Sequence, residues 1–158
     1  MLALLYISFG IALAYLCLSV GVCGRIPVSL SATYYDLGSN GWLFSVCMGI
    51  VALTLTPVWI EWTREGCEWT AFLSGSSLLF VASSPCFREE LQGRVHYGSA
   101  AVCCVCAVLW QILEGLWDVT LFFAFVGGML SLQFKEKWCW WLECAVIGSV
   151  YANLFRLV

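Results

Sequence analysis

The stretch HYGSAAVCCVCAVLWQ, residues 96–111, holds the single histidine of the chain, His96, and three of its ten cysteines. Two folds are compatible with it. A metal or thiol site would require these side chains to converge on one ligand. A helix packed among others in a bilayer would require only that the stretch belong to an apolar run long enough to cross. The run extends over approximately 97–116, which matches the ~20 apolar residues of a spanning helix.

Composition decides for the bilayer. The chain is 62% hydrophobic and 11% charged, with a mean hydropathy of +0.91. Soluble domains are about 45–50% apolar and about 25% charged, and a water-soluble core of 158 residues could not hide the excess. Five further segments resemble the first, over approximately 2–23, 41–62, 69–87, 118–134 and 138–157. The expected fold is therefore all-α, an integral membrane protein built as a compact bundle of six transmembrane helices with short loops. It forms a single six-helix domain over 1–158, with no stretch left for a soluble one. Residues 2–23 lack a basic leader and exceed the about 7–15 apolar residues of a signal sequence, so they read as a retained first helix. A net charge of −3 with seven Lys and Arg excludes nucleic acid as a partner.

Small residues recur at helical spacing in these segments. Ser45, Gly49, Ala52 and Thr56 form one stripe, and Ala100, Cys103, Cys104 and Ala107 another. Ala124 with Gly128, and Gly148 with Ala152, are small-xxx-small pairs. Such faces let helices approach closely in lipid, where packing drives association. Cys17, Cys47, Cys103, Cys104, Cys106 and Cys144 fall inside apolar segments, where a reduced thiol behaves as a small hydrophobe.

Cys103 and Cys106 also form a C-x-x-C. A redox site would need a low-pKa thiolate at a helix start or beside a cation, and Cys103 lies about two turns into the expected helix. Zinc would need four ligands at short spacing. One histidine among helical thiols offers no such set, so neither metal nor cofactor is expected. Motifs for a nucleophile elbow, a phosphate loop or a dinucleotide are absent. A Ser–His–Asp set drawn from Ser29 or Ser31, His96 and Asp36 carries little weight in a chain with many serines.

Loop 1, GRIPVSLSATYYDLGSNG (24–41), is the longest connection and carries Arg25 and Asp36. It is expected on the membrane surface or dipping shallowly under the protection of the bundle. Loop 3, FREELQGRVHYG (87–98), is the most polar stretch, and His96 stands at its end as a general base, a headgroup ligand or a plain helix cap. Two helices separate loops 1 and 3, so both are expected at one end of the bundle. There Arg25, Asp36, Arg88, Arg94 and His96 would gather into a ligand-binding polar cap. Gln111, Glu114, Glu143 and Asn153 are the polar residues expected inside or near the helices, as a pore lining or as interhelical hydrogen-bonding groups.

Two stretches carry a family resemblance. IPVSLSATYYDLGSNGWLF (26–44) and HYGSAA (96–101) resemble the first loop and the start of span 4 in the six-span DRAM-like family of damage-regulated autophagy modulator relatives and their bacterial cousins. Ala32 stands where that family has an aspartate. The resemblance implies architecture and no activity, and it implies that loops 1 and 3 face away from the cytoplasm. Charge implies the reverse. Arg25, Arg88, Arg94, Lys135 and Lys137 lie in loops 1, 3 and 5, against Arg64 and Arg156 at the other end, and basic residues favour the cytoplasmic side.

The sequence thus points first to a non-enzymatic membrane protein that binds lipid or a small ligand, or serves another membrane protein or a second copy of itself as partner. An oligomeric channel or small transporter is the alternative. A membrane-embedded enzyme acting on lipid or thiol, with His96, Cys103 or Cys106 as reactive groups, is the second.

Overall fold

A computed structural model describes residues 1–86 and 89–158, with side chains outside 86–90. In lipid a backbone must satisfy its own polar groups, which favours the helix over any open alternative. Accordingly the described residues contain no strand. The helices are α1 (Leu2–Cys23), the short α2 (Thr33–Asp36), α3 (Trp42–Glu61), α4 (Glu68–Ser83), α5 (Glu89–Leu113), α6 (Trp117–Gln133) and α7 (Trp138–Leu157). Three segments are long and apolar enough to cross a membrane: Leu2–Cys23, Gly38–Glu61 and Leu91–Leu113. α6 is apolar but only 17 residues long, and α4 has 16. α7 has 20 residues but opens on three tryptophans and carries Glu143, Asn153 and Arg156 after them.

The largest departure from the sequence reading is the start of α5. Most of the stretch expected as loop 3 is helical from Glu89 onward. Glu, Leu, Gln and Arg are good helix formers, and acidic residues in a first turn complement the helix dipole. Polarity had marked a loop where the chain only leaves its apolar surroundings. His96 consequently sits two turns inside α5 rather than at its start.

Short turns reverse the chain between neighbours. Gly115, at φ +73°, ends α5. Its N–H donates to the Ile112 carbonyl at 3.0 Å while Leu116 N–H donates to the Gln111 carbonyl at 2.8 Å. This pairing needs a left-handed residue, which glycine supplies without a Cβ clash. α3 packs on α1 and α4, α4 on α5, and α6 on α7. α1 meets α7 through a 2.6 Å bond between Ser8 Oγ and Tyr151 OH, with the Phe9 ring edge-on to Tyr151. Helices α1, α3, α4, α5 and α7 thereby surround a common centre, with α6 outside against α7.

Glycines set the closest approaches. A Cβ on Gly75 would collide with Thr56 of α3, and one on Gly148 would lie 2.5 Å from the Phe123 ring of α6. On α6 the contact falls on Gly127, whose added Cβ would meet that of Ala145 at 2.6 Å. Gly128, expected to pack, faces open space, and Ala124 is exposed. The helix is apolar all round, so spacing within it could not say which of two adjacent glycines faces α7.

Loop 1 goes deeper than a surface loop. Pro27, Leu30 and Thr33 are buried, and Thr33 Oγ1 bonds Tyr15 OH of α1 at 2.5 Å. Val28 O accepts the Trp140 N–H at 3.1 Å, and Leu30 N–H donates to Glu143 Oε2 at 2.5 Å. The segment is thus stapled to α7 and plugs one end of the bundle.

Candidate functional site

Beneath that plug lies a cavity of about 110 Å³. α1 gives it Ala12 and Leu16, and α3 gives Phe44, Met48, Val51, Leu55 and Trp59. α4 contributes Ser74, Leu78 and Val81. The small-residue stripe of α5, Ala100, Cys103, Cys104 and Ala107, forms another wall. α7 closes the ring with Glu143, Val146, Ile147, Val150 and Tyr151, while Leu30 and Ser31 form the roof. Small side chains on α5 therefore leave space as well as admitting neighbours.

Few polar groups interrupt this lining, and most are already engaged. Ser74 Oγ donates to the Cys103 carbonyl at 2.9 Å, and the Tyr151 hydroxyl is held by Ser8. Glu143 is the one acidic residue in the wall, and no Lys, Arg or His among the described residues lines it. Trp59, 3% exposed, has a buried indole N–H with no acceptor. An unsatisfied buried donor costs about 1–3 kcal/mol.

The residues expected to form a polar cap are only partly brought together. Arg25 and Asp36 pair within loop 1 at 3.7 Å. Gln92 Nε2 donates to Tyr35 OH at 2.6 Å, joining loop 1 to the first turns of α5. His96 bonds in another direction. Its Nδ1 lies 2.9 Å from Ser84 Oγ, and that hydroxyl gives its own hydrogen to the Val81 carbonyl at 2.8 Å. Nδ1 is therefore the donor, and the imidazole ties α5 to the end of α4. No described bond links His96 with Arg25, Asp36, Ser29 or Ser31. Arg94 is exposed, and Arg88 lies outside the described residues.

The four polar residues expected within the helices divide three ways. Gln111 and Asn153 are fully buried. Gln111 Oε1 accepts from Asn153 Nδ2 and from Thr120 Oγ1, each at 2.8 Å, so one amide links α5, α6 and α7. Glu114 is at the outer edge, where its Oε1 accepts the Arg64 N–H at 2.9 Å. Glu143 alone lines the cavity. These groups form no continuous polar stripe. Cys103 lines the cavity and Cys106 does not. The described cysteines are free thiols, and no three described His, Cys, Asp or Glu side chains converge as metal ligands.

The pairing of Glu143 with loop 1 was not legible in the sequence, because its partner is a backbone N–H 113 residues away. The one available signal was its depth, five residues beyond Trp138. No protein-family model, curated protein or solved structure matches the chain.

Proposed function

We propose that the chain is a six-span membrane protein that binds a small apolar ligand in the cavity beneath loop 1. The cavity itself is the observation that supports this most directly. An apolar void of about 150 Å³ accepts benzene in a soluble protein, so 110 Å³ suits a body of about that size or smaller, or the end of a longer chain.

The outer faces of the shorter helices support six crossings. α4 exposes Phe72, Leu73, Leu79 and Phe80, and α6 exposes Leu121, Phe122, Phe125, Met129 and Leu132. Contiguous faces of this kind need an apolar solvent. At 1.5 Å per residue, α6 spans about 25 Å against a hydrocarbon core of about 30 Å. Slight bilayer thinning absorbs that difference. Reporter tags inserted in 62–67 and 114–116 are expected on one side of the membrane, and tags in 24–41 and 134–137 on the other. Tags in 24–41 and 134–137 on opposite sides would exclude six spans.

Ala12 tests the cavity. It lines the void from α1 with a side chain 6% exposed, and Ala12→Phe would fill the space. Isothermal titration of benzyl alcohol into protein-loaded phosphatidylcholine nanodiscs, against protein-free nanodiscs, is expected to show saturable binding in the wild type. The variant should lose at least tenfold in affinity. Equal binding by a folded Ala12→Phe protein would place the ligand elsewhere and sink the proposal.

A further inference from the structure

We infer that the ligand is a small amine with an apolar body, held as an ammonium ion against Glu143. This rests on the binding role proposed for the cavity and names its ligand class. An ionisable group at such depth is costly unless a partner of opposite charge is present. Among the described residues that line the wall there is none. The groups facing Glu143 are Leu30 N–H and Ser31 from loop 1, Cys104 from α5, and Cys139 and Cys144 on its own helix. The walls from α1 and α3 present no ionisable group to the cavity, and α4 presents only the Ser74 hydroxyl. Every described neighbour is neutral or acidic, so none of them supplies the cation that would balance the carboxylate, and a ligand can.

The geometry leaves room for it. A carboxylate offers about four acceptor positions; Leu30 N–H occupies one of them on Oε2 and the Cys139 thiol another, which leaves about two. An ammonium group has three donors and no acceptor. Its organic body would lie against Met48, Val51, Leu55 and Ile147, which ask for nothing polar. Proton balance closes in either starting state. A protonated amine meets the carboxylate directly. A neutral amine takes the proton of a neutral Glu143, giving the same ammonium–carboxylate pair.

Benzylamine and benzyl alcohol have the same apolar body and nearly the same size, so their comparison isolates the charge. Titrated at neutral pH into the same phosphatidylcholine nanodiscs, benzylamine is expected to bind at least tenfold more tightly than benzyl alcohol. Glu143→Gln removes the charge while its amide oxygen can still accept from Leu30 N–H. The variant should bring the two affinities within about threefold, since the charge that separates them is gone. Thermal unfolding will establish that it is folded, and Glu143→Asp, which keeps the charge on a shorter arm, should retain part of the preference. Equal affinities in the wild type would overturn the amine assignment while leaving the cavity proposal standing. So would a preference that survives Glu143→Gln. Saturable binding of neither probe would overturn both.

Discussion

Trp110→Ala is expected to be the most destabilising single substitution in the molecule, by about 3 kcal/mol or more. Trp110 is fully buried near the end of α5. Its Nε1 donates to Thr63 Oγ1 at 2.8 Å, and its ring stands edge-on to Trp59 with centroids 5.2 Å apart. Truncating a buried Trp in a soluble core costs about 3–5 kcal/mol, in part as transfer energy and in part as the cavity left behind. Between lipid and protein interior the transfer part is small, which argues for the lower end of that range. What remains is lost dispersion, the aromatic pair at about 0.5–1.5 kcal/mol, and the bond that fixed Thr63. Trp110→Phe separates these, since it keeps most of the ring and should cost about 1 kcal/mol for the hydrogen bond alone. Reversible unfolding in mixed micelles measures both. If alanine proves no worse than phenylalanine, the site is not close-packed as described.

Gly75→Ala is expected to destabilise by about 2 kcal/mol although it adds one methyl group, within the range for overpacking. The new Cβ would fall on Thr56, lying 2.8 Å from both its Cβ and its Cγ2. Thr56 cannot swing away freely, because its hydroxyl is bonded to the Ala52 carbonyl at 2.6 Å. A clash with a Cβ is in effect a clash with backbone, so α3 and α4 must separate along their length. Thr56→Ala alone removes a local back-bond and should cost less than about 1 kcal/mol. Combined with Gly75→Ala it removes the contacts with Oγ1 and Cγ2 and leaves the one with Cβ, so it should recover part of the loss, a coupling that neighbouring residues show and distant ones do not. A purely additive double variant, measured in the same micelles, would mean that this crossing is not where the helices touch.

Much of the fold is a local property and was open to reading. Long apolar runs, tryptophans at their ends and glycines at the turns each act within a few residues, and in lipid the helix is the only open choice. Gln111 and Asn153 could be recognised as interhelical bonding groups because a buried amide in such a helix has no other partner than a neighbouring helix. The start of α5 was misread because polarity marks the edge of the apolar region, while helix propensity continues past it.

The inward faces were decided only by tertiary structure. In a water-soluble helix the polar stripe marks the outside. α6 is apolar on both its outer and its inner face, so it presents Phe122 outward and Phe123 to Gly148 with nothing in the sequence to distinguish them. The same ambiguity hid the cavity, which exists because the small stripe of α5 meets walls from four other helices. Glu143 was visible as a deep carboxyl, yet its hydrogen-bond partner lies in a loop 113 residues earlier that folds over it. Composition and apolar run length are enough to make this chain helical and suited to a membrane. Packing decided where it leaves space and which carboxyl lines that space, since both depend on contacts between segments that share no local pattern.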